Sequence, residues 1–460
     1  MEGGKLKMAN VSKLDLPVTF RTEVVKPILD RVAAGDSCSI VGIGSVGKSN
    51  LLRFLQREDV RQTYLGDEWP GYLFVYVDIN KILKQSTWGL VELMLHQLLI
   101  ELANQKTEKA ALQTIDELHQ RATDPQTQHL ALRYLDRALQ LVCNQLKRRV
   151  VFLIDEFDEL CRTMSPRGFA ALRALRDEYK YWLTYVVATR LELKRLRQEV
   201  SEMEAFEELV SSHTLWLGPY SEEDARFMVK RLEARYNLAL DGDVIHNILV
   251  ATGGHPGLLR EVYYAAHHQK DILETLTSNL HVQAECQRIW LSLAPEEQEV
   301  MSSLANEPAT PPQQTSVVEQ LRRKGLVGGP WAEDKRIFSA LFNQYVEQQR
   351  PVAGTRIHVD HKRHTIWVNS RKIGGLTRLE FKLIAYLEKK RNQLCTRDEL
   401  AQHLYPEDMA LEGEGVSDTR LDSLVKRLRK RIEPNPKEPQ YIITVRGLGF
   451  QLTDGNEADA

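Results

Sequence analysis

Cysteine is scarce in this chain. Five occur in 460 residues, at Cys38, Cys143, Cys161, Cys286 and Cys395, and no two form a C-x-x-C pair. That spacing argues against a structural zinc site and a disulfide framework, and it fits a reducing, cytoplasmic setting. Long hydrophobic runs are missing too. The opening MEGGKLKMANVSKLDLPVTF has no apolar h-region, so it does not read as a secretory signal. No stretch approaches the ~18 apolar residues of a membrane span, so no membrane partner is expected. A large charge of one sign is also lacking, the formal net being −2. The chain is no polycation, so any affinity for nucleic acid must come from a local patch. No short-period repeat is evident, which leaves a chain of ordinary composition long enough for two to four domains.

What is present is an alternation of apolar strands and helical stretches from about Asp36 to Leu217. SCSIVG (Ser37–Gly42), LFVYVD (Leu73–Asp78), VVFLID (Val150–Asp155), TYVVAT (Thr184–Thr189) and HTLWL (His213–Leu217) are the expected strands. Continuous apolar strands separated by helices predict a parallel sheet covered on both faces. The connection from Ile82 to Arg149 is unusually long and reads as helices. SEEDARFMVKRLEARY opens with a cap signature at Ser221 and Asp224 and starts a helical region reaching about Lys270. A second helical block covers Val282–Gln348, with LRRKGLV reading as a helix that turns into a wing. The boundaries are set at 16–219 for the α/β domain, 220–280 for a helical lid, 281–348 for a middle block, 349–355 for a linker and 356–455 for a last domain.

VGIGSVGKSNLL places Gly42-x-x-x-x-Gly47-Lys48-Ser49 after a strand and before a helix. Glycines let such a loop wrap closely, so that backbone N–H groups, here of Gly44, Ser45, Val46, Gly47 and the first helical residues to Asn50, point at phosphates. Lys48 supplies an ammonium to the β/γ-phosphates, and the Ser49 hydroxyl suits Mg²⁺. A helix N-terminus adds partial positive charge. VVFLIDEFDEL ends a strand in Asp155-Glu156 at the sheet edge where open α/β folds bind nucleotides. Asp155 is expected to organise Mg²⁺ and Glu156 to polarise an attacking water. Asp158 and Glu159 read as helix N-terminal charges. YVVATR ends the next strand with Thr189 and Arg190, placed to sense the γ-phosphate. In GGHPGLLRE, His255 and Pro256 follow two glycines at a tight turn and would lean on the base or ribose.

These motifs together resemble the STAND class of signal-transduction ATPases within the AAA+ group, over roughly Leu16 to Gln348. The segment VTFRTEVVKPILDRV belongs to the resemblance, which implies that Phe20 and Arg21 lie near the adenine. It further implies ATP/ADP and Mg²⁺ as ligands, a closed ADP form and an ATP form that assembles. The middle block would be the winged helix that follows the ATPase in this class. Arg173 and Arg176 are candidates for a trans-acting arginine.

The second region of interest is the tail. From Ser417 to Ile432, Leu421, Leu424, Val425, Leu428 and Ile432 form an apolar stripe. Arg420, Ser423, Arg427 and Lys430 recur on the opposite face, flanked by Lys426. Six basic and two acidic residues lie between Arg420 and Glu433. Such a helix fits a major groove. LTRLEF and TRDEL carry capping boxes, Thr377 with Glu380 and Thr396 with Glu399. QYIITV and GFQLT surround Arg446 at a glycine-bounded tip. This block, about Thr355–Asp454, is similar to the winged-helix effector domain of OmpR/PhoB-type regulators. The resemblance implies base contacts from Ser423 and Arg427. It implies phosphate contacts from Lys426, Arg429 and Thr444, and a minor-groove contact from Arg446. Leu424 stands where that family often has a polar residue, and YPEDMALEGEGVSD makes a long acidic turn.

The fold expected is therefore multidomain: an α/β P-loop domain of AAA+/STAND type, a helical and winged-helix middle region, and a C-terminal winged helix-turn-helix. The function expected is ATP-dependent, DNA-binding transcription regulation with slow hydrolysis. Its partners would be double-stranded DNA, further copies of the chain, RNA polymerase and an unknown signal ligand or protein. The alternatives are a DNA-loading or remodelling AAA+ ATPase and a STAND-type defence sensor.

Overall fold

The computed structural model describes residues 15–82, 86–197, 203–237, 239–268, 276–305, 315–332, 336–349, 357–360, 365–368, 371–405, 418–433, 435–436, 438–445 and 447–453. The expected linker, apart from Gln349, lies outside them, as do the acidic turn at 406–417 and Arg446. The chain divides into two compact units, Met1–Glu347 and Gln348–Ala460.

In the first unit, α1 (Thr22–Ala34) precedes β1 (Cys38–Val41), and the glycine loop leads into α2 (Lys48–Leu55). Then follow α3 (Glu58–Leu65), β2 (Tyr72–Asp78), α4 (Thr87–Asn104), α5 (Lys109–Thr123), α6 (Ala131–Leu139) and β3 (Arg149–Asp155). Helices α7 (Phe157–Thr163) and α8 (Pro166–Glu178) lead to β4 (Leu183–Thr189), and α9 (Glu204–Ser211) leads to β5 (Thr214–Trp216). All the pairings are parallel, in the order β2-β3-β4-β1-β5. Side chains alternate between two cores, as strand geometry requires. Val151 and Leu153 face one with Ile40 and Val186, and Val150, Phe152 and Ile154 face the other with Val75 and Val187. Burial on both faces explains why these strands read as unbroken apolar runs. The long connection is helical as expected, α4 to α6 packing over the second core.

The sheet order fixes the site. β1 lies between β4 and β5, with β3 just beyond β4, so the glycine loop, Thr189 and Asp155 reach one edge together. Above that edge come α10 (Glu222–Tyr236), α11 (Gly242–Thr252) and α12 (Pro256–His268). Ser221 caps α10 by accepting the Asp224 N–H. The middle block follows with α13 (Leu280–Leu291), α14 (Pro295–Leu304), α15 (Thr315–Arg323) and α16 (Ala340–Gln348). Among the described residues, a Val327–Ile337 bridge stands where a wing is expected.

The second unit opens with an antiparallel sheet of β6 (Ile357–Asp360), β7 (Thr365–Val368) and β8 (Arg371–Ile373). Helices α17 (Arg378–Lys389), α18 (Arg397–Leu404) and α19 (Asp418–Ile432) pack with β9 (Cys395–Thr396) and the hairpin β10 (Ile442–Val445)–β11 (Gly449–Leu452). Both capping boxes form, at Thr377/Glu380 and Thr396/Glu399. Every residue of the expected α19 stripe is buried, Leu424 included at 0 % exposure. Each such side chain contributes about 1.5–3 kcal/mol on burial. Leu424 is therefore a core residue, and a polar side chain there would lose that packing.

Candidate nucleotide cleft and nucleic-acid surface

A cleft of about 660 Å³ opens over the glycine loop, lined by Gly44, Ser45, Gly47, Lys48, Ser49, Asn50, Glu156 and Arg190. Its opposite wall comes from α10, α12 and α13. Gly47 adopts φ +100°, and nothing lies within 4 Å of where a Cβ would stand, so the loop is open above it. Lys48 is 5 % exposed and donates to the carbonyls of Gly42 (2.7 Å) and Ile43 (3.2 Å). Burial lowers its pKa, and Asp158 and Glu156 oppose that. An ammonium has three N–H donors, and a buried cation of this kind suits an anion above it. The residues fit a nucleoside polyphosphate.

Asp155 is buried. Its Oδ2 accepts from the Tyr76 hydroxyl (2.7 Å) and its Oδ1 from the Glu156 N–H (3.0 Å). Burial and Asp155 together raise the Tyr76 pKa, so the phenol stays a donor. Each carboxylate oxygen keeps a second lone pair, so Asp155 together with Ser49 suits a hydrated Mg²⁺. Glu156 has φ 54° and Ser45 φ 56°. A non-glycine residue pays about 1–2 kcal/mol for the left-handed region, and such residues cluster where a side chain must be aimed. Arg190 Nη2 pairs with Glu156 Oε2 at 3.0 Å.

Of the remaining expected residues, Phe20, Arg21, Thr189 and His255 are not on the cleft wall. Phe20 packs between Phe54 and Tyr220. Arg21 is 3 % exposed, stacks on Tyr220, and donates to the carbonyls of Val46 (3.1 Å) and Gly218 (3.0 Å). Thr189 is fully buried, its Oγ1 has no hydrogen-bond partner among the described residues, and its carbonyl accepts the Gly42 N–H. His255 is fully buried. Its Nδ1 lies 3.3 Å from the Leu258 N–H, which leaves Nε2 to donate to the Gly44 carbonyl at 3.0 Å. Burial drives its pKa down to about 3, so the ring is a neutral brace. Pro256 lines the cleft itself. Arg176 is buried against the Gly35 carbonyl, and Arg173 is held by Asp177 and the Ala205 carbonyl.

Sequence reasoning missed several contributors. Asp158 is no mere helix-end charge: it is 6 % exposed and accepts the Arg190 N–H at 2.8 Å, fixing the end of β4. Tyr76 follows strand alternation and carried no separate signal. Arg288 and Leu291 of α13 line the cleft. A Cβ on Gly44 would come within 3.1 Å of the Arg288 carbonyl, and one on Gly257 within 2.0 Å of Glu285 Oε1. The middle block thus rests directly on the loop. It is held further by Glu297, which is fully buried and accepts from Lys324 (2.7 Å) and from Arg195 (3.1 Å).

On α19, Arg420, Ser423, Lys426, Arg427 and Lys430 are exposed. Arg420 stacks on Tyr405, and Arg427 lies 3.8 Å from the buried Glu380. Arg429 donates to the Ile442 carbonyl and to Thr444 Oγ1 (2.8 Å). Glu433, which reads in sequence only as a charge offsetting the basic run, accepts the N–H groups of Gln440 (2.7 Å), Tyr441 (3.0 Å) and Ile442 (2.7 Å). Arg429 and Glu433 therefore clamp the hairpin to the helix. Gly447 at φ 74° turns the hairpin tip, and Arg446 beside it lies outside the described residues.

The parallel sheet with its glycine loop forms an α/β domain, and the second unit packs three helices with two small antiparallel sheets. Residues 372–452 match the family "Transcriptional regulatory protein, C terminal". The chain is similar to the sensory transduction protein RegX3 of Mycolicibacterium smegmatis, 38% identical over 97 residues, covering 21% of this chain and 40% of that protein. It is also similar to the alkaline phosphatase synthesis transcriptional regulatory protein PhoP of Bacillus subtilis, 30% identical over 148 residues, 32% of this chain and 55% of that protein. The chain thus spans about two fifths to a little over half the length of these relatives. Among solved structures, a Walker-type ATPase of Pyrococcus abyssi aligns over 71% of this chain and 95% of its own, at 15% identity and TM-score 0.44. The DNA-binding domain of Klebsiella pneumoniae RstA, in complex with the RstA box, aligns over 22% of this chain and 96% of its own, at 23% identity and TM-score 0.19. Among the described residues, no helix is long and apolar enough to cross a membrane.

Proposed function

We propose that this chain is an ATP-controlled, DNA-binding transcription regulator of STAND type, in which the nucleotide state decides how the middle block sits and so whether copies assemble on DNA. The observation that carries this reading is the contact of α13 with the glycine loop and the start of α12, where Gly44 and Gly257 leave room for the Arg288 carbonyl and the Glu285 carboxylate. A phosphate-binding loop that also seats a neighbouring helix can trade one against the other. Lys48 and the loop N–H groups hold the β/γ-phosphates, and Ser49 and Asp155 hold Mg²⁺, which supplies charge neutralisation. Glu156 polarises the attacking water once Arg190 leaves it for the γ-phosphate. While the two are paired, the base is occupied and turnover is slow. Ser423 and Arg427 read base edges; Lys426, Lys430 and Arg420 meet backbone phosphates. Assembly multiplies weak single contacts through effective concentration.

The test is light scattering after size exclusion, with and without ATP and genomic fragments. Glu156→Gln should hold ATP and stay assembled on DNA. Gly257→Ala, which forces Glu285 out of its seat, should assemble without nucleotide. A Glu156→Gln protein that stays monomeric and free of DNA in ATP would end the switch reading.

A further inference from the structure

Beyond the glycine loop, the wall of the cleft carries several arginines. One face of α10 lines it with Met228, Arg231, Leu232 and Arg235, and α12 adds Leu259 and Arg260. Spacing of three and four puts the α10 residues on a single helical stripe. Three other arginines of the cleft have carboxylate partners: Arg190 with Glu156, Arg260 with Glu261 and Arg288 with Glu285. Arg231 and Arg235 have no carboxylate within 4 Å among the described residues. Arg235 lies over the Tyr236 ring, 5.5 Å from its centroid, but two guanidinium groups one turn apart without a carboxylate still repel each other, and an anion between them offsets that repulsion. The glycine loop, which lines the same cleft, is the 5′-phosphate site on this reading. The apolar Met228, Leu232 and Leu259 suit the base, so the arginines interleaved with them flank the ribose.

We propose that Arg231 and Arg235 form a second anion subsite that takes a phosphate carried on the ribose of the bound nucleotide, making the preferred ligand one phosphorylated on both sides of the sugar. Such a phosphate comes either as a terminal 3′-phosphate or as the phosphodiester that begins a second nucleotide. Guanidinium groups meet phosphate by parallel N–H···O bonds, and two of them on one stripe fix its position. This rests on the reading of the cleft as a nucleotide site.

The experiment is displacement of radiolabelled ATP from the full chain by ADP, by adenosine 3′-phosphate-5′-diphosphate and by the 5′-phosphorylated diadenylate pApA. In the wild type, the added 3′-phosphate should tighten binding over ADP by about tenfold. In Arg231→Gln/Arg235→Gln the ratio of the two should fall below about threefold. An unchanged melting temperature shows that this pair, Arg231 half-buried and Arg235 exposed, is not needed for folding. Stronger competition by pApA than by AMP, lost in the same variant, assigns the phosphodiester as the source; competition by the 3′-phosphate alone assigns the terminal group. Equal affinity of the wild type for ADP and its 3′-phosphate overturns the subsite while leaving the nucleotide cleft intact. Failure of the wild type to retain ATP at all overturns both.

Discussion

In and behind the cleft, Lys48, Asp155, Thr189, Arg21 and His255 are each at most 5 % exposed, and most are engaged by backbone carbonyls or a neighbouring side chain. On α19 the reverse holds: Ser423, Lys426, Arg427 and Lys430 stand in solvent over a separate apolar stripe. The first surface is preorganised. Its polar groups are already removed from water, so each substitution alters both the ligand contact and the packing around it. The second surface is additive, because the residues that fold it are not the residues proposed to read DNA. A ligand small enough to be enclosed favours the first design, whereas a rod with one phosphate charge every ~1.7 Å along its axis favours the second.

The comparison is broken most directly at Lys48. Lys48→Ala removes a buried cation whose carbonyl partners then lose their donor, and with it the charge-assisted bond to phosphate. ATP affinity should fall by two to three orders of magnitude, on the order of 3–4 kcal/mol. Isothermal titration measures it, and urea melts of the same variant should show an altered first unit and an unaltered second. ATP binding within tenfold of wild type would mean that the loop does not use this side chain.

A smaller effect is expected from His255. Its folded pKa of about 3 lies below the usual value near 6.5, so the unfolded chain binds the extra proton first. Stability from the neutral ring is therefore complete above about pH 6.5 and is lost as pH falls towards 3, by at most about 1.4 kcal/mol per pH unit. Between pH 7.5 and 5 the loss is roughly 2 kcal/mol. His255→Gln keeps a donor for the Gly44 carbonyl and cannot titrate. Its first-unit transition should therefore move less over that range than that of the wild type. Parallel pH profiles for the two proteins would remove His255 as the brace.

The two surfaces were also unequally legible in the sequence. The α19 stripe and both capping boxes follow from helical periodicity, which local sequence carries in full. The five strands were legible because a sheet buried on both faces leaves unbroken apolar runs. The glycine loop was legible because close backbone approach demands glycine at fixed places. What stayed hidden depends on contacts across distant segments. Tyr76 reaches Asp155 from a neighbouring strand, Asp158 pins the start of the loop after β4, and Glu433 turns back onto the hairpin. Phe20 and Arg21 were placed near the base by resemblance. They lie behind the glycine loop, where Arg21 ties Val46 to Gly218. A buried arginine and a ligand-facing one look alike in one sequence.

The smallest effect discriminates between two neighbours on α19. Arg427 and Lys426 are both exposed and adjacent, so charge alone gives them the same part. Their directions differ: Arg427 leans over Glu380 at 3.8 Å, while Lys426 has no carboxylate within 4 Å among the described residues. A bidentate base contact is worth about 1–3 kcal/mol and is specific to one position in the site. A phosphate contact weakens all sequences alike and lowers the slope of log K against log salt by about 1. Arg427→Ala should therefore relax discrimination between a selected fragment and a scrambled one, and Lys426→Ala should leave that ratio unchanged while flattening the salt dependence. Mobility shifts on both fragments at several salt concentrations measure both quantities. If Arg427→Ala changed only the salt slope, both residues would serve as phosphate contacts, and base reading would fall to Ser423 and the rest of the helix.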